Sequence, residues 1–183
     1  MRALIELGAD VNKARDDGAT PLFIAAYQGN EAMVRALIEA GADINKALLD
    51  GGETPLFIAA HQGHEAAVRA LIELGAHVNK ARDDGATALY VAAQEGHEVV
   101  VRALMESGAD INKAIDDGAT PLYITAEFGH EKVVRALIEL GADINKAKDT
   151  GGTPLFTAAL EGHTAIVQIL RDGVLVQMQH LSL

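Results

Sequence analysis

Apolar positions in the stretch from Asp117 to Lys146, DGATPLYITAEFGHEKVVRALIELGADINK, follow a helical rhythm and not an alternating one. Val133, Val134, Leu137 and Ile138 recur at the spacing of one helix face and form a single apolar stripe. The stripe predicts a helix from Glu131 to about Leu140. Glu131 and Arg135 stand four apart with the acid on the N-terminal side, the favourable order for a surface pair. Upstream, Thr120 is a good helix N-cap, and Pro121 suits the first helical position, where a missing N–H costs nothing. A second, shorter helix is therefore predicted to begin there and to end at Gly129.

The same pattern runs through nearly the whole chain. The opening threonines Thr20, Thr54, Thr87, Thr120 and Thr153 are separated by 34, 33, 33 and 33 residues. The closing asparagines Asn12, Asn45, Asn79, Asn112 and Asn145 keep the same ruler. The one extra residue lies in the turn from Ala47 to Glu53, where a loop tolerates it and the helices are spared. Thr87-Ala88 keeps the cap and loses only the proline. Glu31–Arg35, Glu65–Arg69 and Glu98–Arg102 repeat the surface pair. Asp-Gly and Gly-Gly steps, such as Asp84-Gly85 and Gly151-Gly152, are tight-turn signals that reverse the chain between units. Small residues in the first helix, Ala25-Ala26 and Ala59-Ala60, let a neighbouring helix approach closely.

A helix pair this short cannot bury its own stripe, so the units must stack in a row. The predicted fold is all-α, a helical repeat solenoid without an internal linker. It forms one array over residues 1–183. A partial unit covers 1–13, full units cover 14–46, 47–80, 81–113 and 114–146, and a divergent unit with a tail covers 147–183.

Composition narrows the chemistry. Hydrophobic residues are 49% and aromatics 4%, with no Trp, so the core is aliphatic. No Cys is present, which excludes disulfides and thiolate metal sites and fits an intracellular, cytoplasmic setting. The net charge of -11, from 15 Lys+Arg against 26 Asp+Glu, argues against nucleic acid and anionic membrane surfaces as partners. The N-terminal MRALIELGAD lacks the features of a signal peptide.

T-P-L-[F/Y]-x-A-A-x-x-G-H, followed by a helix and G-A-D-[I/V]-N at a 33-residue period, resembles the ankyrin repeat family. The resemblance implies an ankyrin-type solenoid of helix–turn–helix units joined by hairpin-like loops. The family usually has His after T-P-L, and here Phe23, Phe57, Tyr90, Tyr123 and Phe156 stand there. A ring that must pack replaces a polar side chain, so the hydrogen bonding of the turns is expected to differ. The ends depart further. Met1 falls where a second helix is already under way, leaving Leu4, Ile5 and Leu7 bare on one side. Gly173 arrives one residue early, and the tail VLVQMQHLSL is apolar where a capping unit is polar. These read as the ends of a fragment of a longer array, or as ends that pair with something.

Residues repeated once per unit are structural candidates before they are catalytic ones. His64, His97, His130 and His163 suggest a metal row, but successive units lie about 10 Å apart and zinc ligands about 2 Å from the metal. His64-Glu65 and His97-Glu98 begin a zincin motif, yet Val68 and Val101 fill the second histidine position. The pairs Asp16-Asp17, Asp83-Asp84 and Asp116-Asp117 lack the spacing of a calcium loop and read as turn chemistry. No phosphate-binding or nucleophile motif occurs. No cofactor, metal or catalytic residue is expected.

The informative positions are those where the units disagree. They are Tyr27, Gln28, His61, Gln62, Gln94, Glu95, Glu127, Phe128, Leu160 and Glu161 at the ends of the first helices. At the turn tips they are Arg15, Asp16, Leu49, Glu53, Arg82, Ile115, Lys148 and Thr150. Stacking is expected to align them on one concave face, which the resemblance implies is the surface that binds a protein partner. The plainer reading is that exposed positions drift freely. The acids Asp16, Asp17, Glu53, Asp84, Glu95, Asp117, Glu127 and Glu161 predict a partner with a basic or polar patch. An architectural role with end-to-end self-association is the alternative. The resemblance also implies that Asn45, Asn79, Asn112 and Asn145 could be hydroxylation targets.

Overall fold

The computed structural model describes the backbone of residues 10–180 and the side chains of residues 10–173. The expectations for Leu4, Ile5, Leu7 and the side chains of the tail lie outside the described residues.

Threonine caps open each first helix as the sequence predicts. The helices are α1 (Pro21–Tyr27), α3 (Pro55–His61), α5 (Ala88–Gln94), α7 (Pro121–Phe128) and α9 (Pro154–Leu160). The hydroxyls of Thr20, Thr54, Thr87, Thr120 and Thr153 accept from the backbone N–H three residues on, at 3.1–3.3 Å. Thr87 does so without a following proline, so the cap and not the ring starts the helix. The second helices are α2 (Glu31–Glu39), α4 (Glu65–Glu73), α6 (Glu98–Glu106), α8 (Glu131–Glu139) and α10 (Thr164–His180). Helix α10 continues through Gly173, which does not end it as the glycines of the other units do. Among the described residues there is no strand, and no helix is long and apolar enough to cross a membrane.

Helices of seven and nine residues fall below the roughly 12–15 residues at which an isolated helix becomes even marginally stable. They persist by packing in two layers. Each first helix lies beside the first helices of the adjacent units, each second helix beside the adjacent second helices, and each pair packs internally. Leu22, Leu56, Leu89 and Leu122 from the first layer meet Leu37, Leu71, Leu104 and Leu137 from the second, all fully buried. The alanines Ala26, Ala60, Ala93 and Ala126 are buried where first helices touch.

Polar ladders run across the stack beside this core. The Asn12, Asn45, Asn79 and Asn112 side chains each accept from a backbone N–H of the next closing loop, at 2.8–2.9 Å. His64, His97 and His130 occupy N-cap positions of second helices but do not cap them, and His163 stands just before α10. Their Nε2 atoms instead reach back to the carbonyls of Tyr27, His61, Gln94 and Glu127, at 2.7–3.0 Å. A carbonyl only accepts, so each ring carries its hydrogen on Nε2. Asn30, at the equivalent position of α2, caps its own helix.

The arginines do more than the predicted i,i+4 pairs. Arg35, Arg69 and Arg102 hold Glu31, Glu65 and Glu98 and also reach Glu73, Glu106 and Glu139 of the next unit. Glu131–Arg135 does not form such a pair among the described residues. The next unit offers the shorter Asp172 where a glutamate stands elsewhere, and Gln168 holds that carboxylate at 2.8 Å.

The histidine ladder also sets a requirement on glycine. Gly63 has φ +75°, and a Cβ there would stand 2.7 Å from the His97 ring. Gly162 has φ +77° with nothing within 4 Å. Gly162→Ala is expected to cost about 1 kcal/mol, the ordinary penalty of a left-handed alanine. Gly63→Ala should cost more, and His97→Ala should remove the excess. Urea unfolding of the single and double variants measures this; equal costs at both glycines would show that the ring approach contributes nothing.

Candidate functional site

Four of the first helices stop one residue short of their glycines and α7 runs up to Gly129, so the two residues after each small-residue pair sit at the helix end. Tyr27, Phe128 and Leu160 are 50%, 53% and 70% exposed. Gln28, Glu95 and Glu161 are exposed, while His61, Gln62, Gln94 and Glu127 are half-buried. These positions form a connected strip in the middle of the array. Gln62 bonds to His61 at 2.9 Å, Gln94 donates to Glu95 at 3.3 Å, and His61 Nε2 lies 3.9 Å from Glu95 Oε1. The Phe128 ring stacks on His130, centroids 6.4 Å apart.

The turn tips are organised by backbone ladders. Leu49, Asp83, Asp116 and Asp149 each donate their N–H to a carbonyl of the preceding turn, at 2.9–3.2 Å. Within the turns, Arg82 bridges Asp84 and Glu53, and its guanidinium lies 5.3 Å from the centre of the Phe57 ring. Lys148 reaches Asp117 at 2.7 Å and sits over Tyr123. Arg15 pairs with Asp17. Ile115 packs against the core, while Arg15, Asp16 and Leu49 are exposed. The structure thus places Arg82, Lys148 and Glu53 in contacts within the array, and leaves the helix-end strip open.

The paired aspartates divide their work, which the sequence reading does not resolve. The second of each pair (Asp17, Asp84, Asp117) accepts at 3.0 Å from the alanine N–H two residues on. The first (Asp16, Asp83, Asp116), with Asp149 in register, is exposed and makes no ion pair among the described residues. A row of free carboxylates therefore flanks the turn tips. The signal that could have found it was already present: an aspartate two residues before Gly, followed by one that closes its own turn. Among the described residues no three His, Asp or Glu side chains converge as metal ligands.

The Arg82 hydrogen bonds hold the Asp84 carboxyl below its ordinary value, helped by the Ala86 N–H and opposed by partial burial. The folded value is depressed, so this stabilisation is complete above the ordinary value of 3.8 and is lost as pH falls through the lower folded value. Arg82→Gln should raise the Asp84 value towards the ordinary range, with the Ala86 N–H still in place. The stability gap between wild type and variant is expected at neutral pH and should close in acid, as read by denaturation across a pH series. A gap unchanged into strong acid would assign the loss to the Phe57 contact alone.

Comparison with known families fits this geometry. A family model described as "Ankyrin repeats (3 copies)" matches residues 46–115 and 112–179. A second, "Ankyrin repeats (many copies)", matches residues 1–38 and 23–68. No curated protein matches the chain. With stacked helical pairs, hairpin-like turns and family matches spread along its length, this chain belongs to the ankyrin repeat family.

Proposed function

We propose that the chain is a non-catalytic scaffold that binds a protein partner along the helix-end strip and the turn tips on the concave face. Ankyrin repeats generally mediate protein–protein interaction, and this reading assigns the surface. The observation that carries it is a division within the chain. Residues unchanged from unit to unit build the core and ladders, while the residues that vary are mainly the ones the fold leaves at the surface. Tyr27 and Phe128 supply exposed aromatic anchors of the kind enriched in interface hot spots. The preformed helices lose little ordering entropy on association. The acids Glu95, Glu127 and Glu161, with the free row Asp16, Asp83, Asp116 and Asp149, favour a partner with a basic or polar contact patch.

Tyr27→Ala and Phe128→Ala are each expected to weaken partner binding by about 1–2 kcal/mol, roughly 10-fold, when they sit at the contact centre. Calorimetry on the captured partner reads this, with Val99→Ala on the opposite layer as the control. Affinity should fall as salt rises, because the contact pairs opposite charges. Unaltered affinity in the Tyr27, His61, Glu95 and Phe128 variants would move the binding surface elsewhere, and salt-independent affinity would remove its electrostatic part.

A further inference from the structure

An Asp-Gly step is open to spontaneous ring closure, because glycine has no Cβ to keep the aspartate carboxyl off its nitrogen. The chain holds five such steps, at Asp17, Asp50, Asp84, Asp117 and Asp172. The fold closes four of them. In the turns of Asp17, Asp84 and Asp117 the carboxylate accepts from the alanine N–H two residues on, at 3.0 Å. Each of these carboxylates also pairs with a cation, Arg15, Arg82 or Lys148. The nitrogens that would attack them are engaged as well. Gly18, Gly85 and Gly118 donate to the carbonyls of Arg15, Arg82 and Ile115 at 2.9–3.0 Å. Hydrogen bonds from Arg82 and Lys148 hold Asp84 and Asp117 below the usual carboxylate range, which depletes the protonated acid that ring closure consumes. Asp172 lies inside α10, where Gln168 holds its carboxylate.

Asp50 differs, and the cause is the extra residue in its turn. Leu48 N bonds to Glu53 O, one residue further round than Arg15 N to Ala19 O or Arg82 N to Ala86 O. The wider loop loses the inner bond that ties the glycine nitrogen in the other turns. Gly51 N has no acceptor among the described residues. The Asp50 carboxylate is exposed and has no donor or cation among them. Gly51 stands at φ +90°, and a Cβ there would lie 3.0 Å from Glu53 Oε2. A carboxylate base therefore stands beside the peptide that must give up its proton. The turn is fixed on either side, by Leu49 N on Asp17 O and by Asp83 N on Gly51 O.

We propose that Asp50–Gly51 is a modification site at which the folded chain rearranges to isoaspartate, while its other Asp-Gly steps stay intact. The Gly51 nitrogen attacks the side-chain carboxyl carbon of Asp50. The N–C bond forms as the C–O bond breaks, and the hydroxyl leaves as water with the amide proton. Water then opens the cyclic imide. Opening at the side-chain carbonyl restores aspartate. Opening at the main-chain carbonyl leaves the chain running through the side chain, with the Asp50 α-carboxylate free. The main chain is then longer by the Asp50 Cβ between the Leu49 and Gly51 anchors, so the turn that carries Leu49 and Glu53 must change shape.

Incubation of the full chain in heavy-oxygen water at mildly acidic pH tests this, because each imide opening leaves one solvent oxygen in the peptide. Mass spectrometry of tryptic peptides then reads the turns separately, since Lys or Arg lies between them. In the folded chain the Asp50 peptide should take up label at least about tenfold faster than the Asp17, Asp84 and Asp117 peptides, whose hydrogen bonds must break first. In denaturant those bonds are gone, and the four rates should converge. Asp50→Ser should abolish labelling of its peptide and leave the fold intact, because the side chain is exposed and unpartnered. Equal labelling of the four turns in the folded chain overturns the proposal. A preference for Asp50 that persists unchanged in denaturant also overturns it, since the selectivity would then come from local sequence and not from the opened turn. Label retained in the Asp50→Ser peptide would place the reaction elsewhere and overturn it too.

Discussion

The leucine and valine stripe of each helical pair stays dry only because the adjacent pairs lie against it. Helices of seven and nine residues hold too few intrahelical bonds to persist in water. Burial in the shared core therefore supplies most of their stability. That constraint accounts for the small residues between first helices, where Ala26, Ala60, Ala93 and Ala126 let backbones approach. It also accounts for the direction of the polar contacts, most of which run from one unit to the next.

The histidines serve the stack and not their own helices. Ser, Thr, Asp and Asn are the residues that cap a helix from its N-cap position, with a contribution of about 1 kcal/mol. His64, His97 and His130 leave that N–H uncapped and bond to the preceding unit instead. Asn30 keeps the local cap. The arginines follow the same logic. Arg35, Arg69 and Arg102 each hold one glutamate of their own helix and one of the next, so two anchors fix the guanidinium where a single exposed pair is worth little. Where the second anchor changes to Asp172, the Glu131–Arg135 pair is absent among the described residues as well.

The substitution of aromatic rings for the family's usual histidine after T-P-L moves the turn contacts from hydrogen bonds to packing. Phe57 and Tyr123 lie under Arg82 and Lys148, whose charges are also held by Asp84 and Asp117. The ring is dry only when a following turn covers it, which makes Phe156 the exception. Basic side chains at the turn tips are drawn into these internal contacts. The helix-end strip that remains carries acids and exposed aromatic side chains.

The chain by itself determined the unit, its period, the helix starts and the need to stack, because each rests on local rules. Thr120 caps whatever follows it, Gly129 ends it, and Val133, Val134, Leu137 and Ile138 lie on one face in any helix. Aromatic exposure at Tyr27 and Phe128 was legible too, since both lie just after the small-residue pair at the end of a first helix. What only the tertiary structure decided was how residues act across units. Sequence spacing pairs Arg102 with Glu98, but Glu139 reaches it through the stack. Arg82 and Lys148 look like free surface cations until the neighbouring rings and acids are in place. Asp16 and Asp17 look alike until the turn assigns one to itself and one to solvent. Contacts between positions some 30 residues apart follow from how neighbouring units pack, and no local pattern carries that information.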